Sequence, residues 1–93
     1  MKLHYRGSIH RLSGSGMAFA RFDSDVDLSD VGKKINTAVP DTFIRVNNVD
    51  EEANFDVFFF DKPTKYIIRK GEEILYKHEG NAFGFEMYFS LIE

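Results

Sequence analysis

The sequence predicts an α+β domain: a mainly antiparallel β-sheet of about five to seven strands with one helix packed on one face. Three observations lead there. Residues 83–92 alternate strictly, with Phe83, Phe85, Met87, Phe89 and Leu91 on one face and Gly84, Glu86, Tyr88, Ser90 and Ile92 on the other. That period of two belongs to a strand. From residue 42 onward, short runs rich in β-branched and aromatic residues are separated by turn-forming residues. One stretch, 28–39, instead spaces Leu28, Val31, Ile35 and Ala38 at helical intervals.

Taken in order, residues 2–12 and 17–22 read as two strands. Leu3 and Tyr5 alternate with Lys2, His4 and Arg6, and Met17, Phe19 and Arg21 alternate with Ala18, Ala20 and Phe22. Ser13, Gly14, Ser15 and Gly16 have the composition of the turn that would make them a hairpin. The helix at 28–39 is capped by Asp27, with Asp30 in the capping-box position. Gly32 weakens it by about 1 kcal/mol relative to Ala, and Pro40 ends it. Its Leu28, Val31 and Ile35 stripe is expected to lie on the sheet face bearing Phe83, Phe85, Met87 and Phe89.

Strands follow at 42–46 and 55–60, with a turn at Asn47 and Asn48 between them. A second turn is read at Asp61, Lys62, Pro63 and Thr64. Segments 65–69 and 73–78 flank Lys70 and Gly71 as a hairpin, and Gly80 and Asn81 offer another. Segment 48–60 admits a rival. Asn48 and Glu51 match a capping box, and Val49, Ala53, Val57 and Phe60 match a helical stripe. One helical turn at 49–53 followed by a strand satisfies both patterns. Several strands are apolar on both faces: Phe58 and Phe60 oppose Phe55, Val57 and Phe59. The second face therefore needs a cover, from the sheet curling on itself, the N-terminal hairpin or a partner.

The chain has 93 residues, 43% of them hydrophobic, which makes one domain spanning 1–93 with one core. Twelve basic and fifteen acidic residues give a net charge of −3. That balance argues against general electrostatic binding to nucleic acid or an anionic membrane. The longest apolar run, Val57 to Phe60, is far below the roughly 20 residues of a membrane span, and the first residues lack a signal-peptide pattern. A cytoplasmic protein is expected. With no Cys, thiolate catalysis and Cys-ligated zinc are excluded. No cofactor and no metal are expected.

Catalytic patterns are sparse. Asp23, Asp25 and Asp27 resemble the start of a calcium loop, but Leu28 and Lys34 stand where such a loop needs Gly and Glu. His4, Arg6 and His10 share one face of the first strand, and Glu86 could join them. Together they could serve a small metal-independent ribonuclease as acid, base and phosphate clamp, or simply form the wet face of an edge strand. His78 stands beside a turn, and no spacing supports a three-histidine zinc site. Dinucleotide loops, phosphate loops, HExxH and nucleophile elbows are absent from the sequence.

Charge segregation carries more information. Residues 1–22 hold Lys2, Arg6, Arg11 and Arg21 and no acid; 23–30 hold Asp23, Asp25, Asp27 and Asp30 and no base. Residues 50–61 hold five acids and no base, and 62–70 then carry Lys62, Lys65, Arg69 and Lys70. Asp50, Glu51, Glu52, Asp56 and Asp61 with Phe58 and Phe60 are the candidate partner-binding residues: carboxylates for steering, aromatic rings for anchoring. The profile is that of a small non-enzymatic binding protein. A bacterial inhibitor or immunity protein that neutralises a basic partner, such as a nuclease toxin, fits it best. The alternatives are the ribonuclease built on His4, Arg6 and His10, and a homo-oligomeric structural subunit.

Overall fold

The computed structural model describes residues 1–13, 16–80 and 83–93, without side-chain detail for 11–13 and 16–19. The turn read at Ser13 to Gly16 and the Gly80–Asn81 turn fall partly outside the described residues. Among the described residues the chain is almost entirely β. Its strands are β1 (Lys2–Ser13), β2 (Gly16–Val26), β3 (Lys34–Asn36), β4 (Thr42–Val49), β5 (Glu52–Phe59), β6 (Lys62–Arg69), β7 (Glu73–Glu79) and β8 (Phe83–Ile92). They form two antiparallel four-stranded sheets, ordered β2-β1-β8-β7 and β3-β4-β5-β6.

Each strand follows its predecessor with reversed direction, and β1 and β8 pair with one another. The topology is thus an eight-stranded up-and-down meander, opened along the β2/β3 and β6/β7 seams and flattened into a sandwich. The two inner faces meet in one core. Leu3, Tyr5, Phe85, Met87, Phe89 and Leu91 come from the first sheet, and Ile44, Val46, Ala53, Phe55, Val57 and Ile68 from the second. Phe55 and Phe89 meet across the gap with ring centroids 4.7 Å apart.

This architecture overturns the α+β expectation. Among the described residues no helix packs on either sheet. Segment 28–39 forms a single 3-10 turn, Leu28–Asp30, and the short strand β3. Two interactions select that outcome. Gly32 adopts φ 87° and donates its N–H to the Val46 carbonyl at 2.7 Å. Lys34, Ile35 and Asn36 then pair with Arg45, Ile44 and Phe43 along the edge of β4. Val31 and Ile35 still pack against the core, but Leu28 points outward at 59% exposure. The Phe85, Met87 and Phe89 face is indeed an inner face; the second sheet covers it, not a helix.

The turns shift as well. Asn47 and Asn48 lie within β4, where the register slips between Val46 and Asn48. The reversal comes at Asp50 and Glu51, and β5 begins at Glu52, so no helical turn forms at 49–53. Lys62 and Pro63 belong to β6, and the β5–β6 turn is Phe60 and Asp61. Lys70 and Gly71 do not close a hairpin: β6 and β7 lie in different sheets, and residues 70–72 carry the chain across the seam. The second sheet covers the inner rows only: Phe58, on the opposite face of β5, is buried beneath Lys34 and Arg45, and Phe60 stands exposed in the turn.

Candidate functional site

Strand alternation decides where each candidate residue lies. In an up-and-down meander every second connection emerges at the same end. The β2–β3, β4–β5 and β6–β7 connections therefore share one end, together with Met1 and Glu93. That end gathers Asp27 and Asp30 from one acidic segment and Asp50, Glu51 and Glu52 from the other, with Glu72 and Glu93 beside them. The bases here are largely engaged: Arg69 Nε reaches Glu52 at 3.2 Å, Lys70 pairs with Glu93, and Lys2 pairs with Asp25 at 3.7 Å. Asp27, Asp30, Asp50 and Glu51 have no ion pair among the described residues. Leu28 stands exposed between Asp27 and Asp30. A groove of about 730 Å³ runs between the β4–β5 and β6–β7 connections, lined by Asn48, Asp50, Glu51, Glu52, Arg69 and Lys70.

The seven candidate residues thus divide into three groups. Asp50, Glu51 and Glu52 stand at the acidic end. Phe60 and Asp61 form the β5–β6 turn at the opposite end, the length of β5 away, about 25 Å for eight residues. Asp56 and Phe58 lie between them, on the outer face of the second sheet. Asp56 is only 1% exposed. Its Oδ2 accepts from Arg45 Nη2 at 2.9 Å and from Asn47 Nδ2 at 3.1 Å. Burial pushes the Asp56 carboxyl up, but the Asn47 and Arg45 hydrogen bonds, aided by the charges of Arg45 and Lys65, outweigh it and hold the group below its ordinary range. Phe58 is buried beneath Lys34 Nζ, 4.6 Å from its ring centre, and Arg45 Cζ, at 5.1 Å.

The His4, Arg6 and His10 row occupies the outer face of the first sheet, and its members do not converge. His4 and His10 are six residues apart on one strand, about 20 Å. His4 Nδ1 lies 2.6 Å from Asp25 and its Nε2 3.3 Å from Asp23. Arg6 pairs with Glu73 at 3.3 Å and lies over the Tyr88 ring. The His10 ring covers Gly84, where an added Cβ would stand 2.6 Å from Nε2. A shallow hollow of about 470 Å³ lies on this face, walled by Arg6, Ser8, Arg21, Asp23, Glu86 and Tyr88. His78 is half-buried and wedged among rings, 4.6 Å from Phe59 and 5.7 Å from Phe85 between centroids. Among the described residues no group of three or more His, Cys, Asp or Glu is arranged to hold a metal ion. No helix there is long and apolar enough to cross a membrane.

Leu28 and Asp41 escaped the sequence reading. By spacing Leu28 belongs to a buried stripe, and only the strand pairing of β3 turns it outward. Asp41 lay just after Pro40 and carried no pattern of its own; its importance is a backbone conformation, φ 56°, that no spacing reveals. No protein-family model, curated protein or solved structure matches the chain.

Proposed function

We propose that this chain is a small non-enzymatic protein-binding domain, an inhibitor or immunity protein that neutralises a basic partner such as a nuclease toxin in the cytoplasm. One observation carries the reading: the up-and-down topology gathers two acidic segments, twenty residues apart in sequence, at one end of the sandwich. Asp27, Asp30, Asp50 and Glu51 stand there without ion pairs among the described residues, around the exposed Leu28. Carboxylates around an apolar side chain provide steering and an anchor together. On a nuclease they would lie where substrate phosphates bind. The engagement of His4 with two aspartates and of Arg6 with Glu73 and Tyr88 favours this reading over the ribonuclease.

Purified basic nuclease domains offered to the immobilised protein provide the test, with nucleic-acid cleavage measured in parallel. At least one should bind and lose activity. The triple variant Asp27→Asn, Asp50→Asn, Glu51→Gln should keep the fold, slow association about tenfold or more at low salt, and flatten its salt dependence. RNA cleavage by the chain itself, or binding that the triple variant leaves untouched, would reject the reading. Gel filtration separates the structural-subunit alternative, which requires a stable oligomer of the isolated chain.

A further inference from the structure

Three non-glycine residues adopt positive φ among those described: Asp41 at 56°, Phe60 at 49° and Asp61 at 62°. All three meet at one corner, far from the acidic end. The Phe60 N–H donates to the Asp41 carbonyl at 3.1 Å, and Phe60 and Asp61 are the two central residues of the β5–β6 hairpin, between the paired Phe59 and Lys62. A two-residue turn of this hand demands positive φ at both positions, which Asn-Gly or Asp-Gly meets at least cost. A bulky aromatic at the first position is an outlier. It is also poorly sheltered: Phe60 is 57% exposed.

The ring nevertheless has a neighbour of its own kind. It packs edge-on against Phe59, 4.6 Å between centroids. Phe59 in turn rests on His78 at 4.6 Å and on Phe85 at 5.5 Å, so a chain of rings runs from the core to the tip. Asp41, whose carbonyl accepts the Phe60 N–H, and Asp61, the next residue in the chain, belong to the same corner. Asp61 is paired only with Lys34, at 3.2 Å and in solvent, and Asp41 has no ion pair among the described residues. The corner therefore combines a strained backbone, a projecting aromatic side chain on a rigid support, and two exposed carboxylates.

We propose that this corner is a second docking site, distinct from the acidic end, in which Phe60 enters an apolar pocket of a protein partner rimmed by arginine or lysine side chains. The folded chain gains little from a phenyl ring at this position, whereas a pre-organised ring loses little rotamer freedom on binding. The carboxylates supply the sign of the rim: a basic rim is attracted by Asp41 and Asp61, and an acidic one is repelled.

A displayed library of random twelve-residue peptides, selected on the wild-type protein, tests this without a known partner. Selected peptides should combine aliphatic or aromatic residues with Arg or Lys. They should lose at least tenfold in affinity for Phe60→Gly and severalfold for the Asp41→Asn, Asp61→Asn double variant, and bind the acidic-end triple variant unchanged. Phe60→Gly should at the same time raise the thermal midpoint by several degrees, because the backbone strain is relieved while the turn is kept. That rise also shows that lost binding is not lost folding, and Phe60→Leu gives a second, apolar control that should retain part of the affinity. Peptides that are acidic, that bind Phe60→Gly as well as wild type, or that respond only to the acidic-end variant would overturn the proposal. So would a library that yields no Phe60-dependent binder.

Discussion

Arg45 and Asp56 face each other across β4 and β5, 2.9 Å apart, and only the aspartate is shut off from water. Among the described residues no element packs over this outer face, so its cover is one layer of neighbouring side chains. Both donors converge on Oδ2, leaving Oδ1 without a hydrogen-bond partner among the described residues. A half-satisfied buried carboxylate depends strongly on the cation that remains. Arg45→Met should destabilise the protein by about 1–3 kcal/mol in urea unfolding, and adding Asp56→Asn to it should recover part of that loss. The acid limb carries the same signature. The Asp56 carboxyl is held below its unfolded value, so its contribution is fully present above about pH 4 and disappears as pH falls through the lower folded value. Asp56→Asn should flatten that limb of the stability profile.

Gly7 marks a close approach of β1 to β8. A Cβ there would stand 1.8 Å from the Glu86 carbonyl oxygen and 2.9 Å from Phe22 Cζ. The first neighbour is backbone and cannot rotate away, so the two central strands of the sheet would have to part. Gly7→Ala should cost about 3 kcal/mol or more, the upper range for overpacking. Gly71→Ala meets nothing within 4 Å but sits at φ 90°; only the backbone resists, and about 1 kcal/mol is expected. Paired denaturation curves distinguish steric exclusion from conformational preference.

The two-sheet core makes an equally direct forecast. Phe89 is fully buried and touches both Tyr5 of its own sheet and Phe55 of the other. Phe89→Ala should cost about 3–5 kcal/mol. Leu28→Ala, at a position that a packed helix would have buried, should change stability by no more than about 0.5 kcal/mol. Equal losses at the two positions would bring back the helix-on-sheet arrangement.

Much of the strand content is legible in the sequence, because single-faced alternation leaves a clear trace. The Phe83 to Leu91 row and the Phe55, Val57 and Phe59 row are inner faces, as their period of two implies. Segment 28–39 misleads for a physical reason. Leu28, Val31 and Ile35 have helical spacing, but a twelve-residue helix is marginal on its own, and here the β4 edge offers backbone hydrogen bonds while Gly32 permits the turn that reaches it. Val31 and Ile35 serve the core in either form, so burial does not arbitrate between them. The candidate site was legible in composition but not in place. Acid blocks 23–30 and 50–61 are visible as charge runs; that Asp27 and Asp30 share one end with Asp50, Glu51 and Glu52 depends on strand count, which the helix assignment alters. The split of Asp56 from Asp61 follows from their five-residue separation along an extended strand, which the strand read at 55–60 already implies.

The last prediction concerns Asp25 on β2, whose carboxylate is shared between His4 and Lys2. His4 Nδ1 lies 2.6 Å away and Lys2 Nζ 3.7 Å away. The His4 hydrogen bond is the larger influence. Partial burial opposes it, the charges of His4 and Lys2 support it, and the carboxyl is held below its ordinary value. Because the group is partly open to solvent, the stability at stake is at most about 1 kcal/mol. It is present above the unfolded value and lost as pH falls through the folded one. A carboxyl-carbon NMR titration reads the balance directly. His4→Ala should move the Asp25 midpoint upward, and Lys2→Ala should move it upward by less. Asp56, which contacts neither residue, should not move in either variant. If Lys2→Ala produced the larger change, the carboxylate would be held by the Lys2 ammonium and not by the imidazole. The His4–Asp25 contact would then be incidental to the β1–β2 pairing.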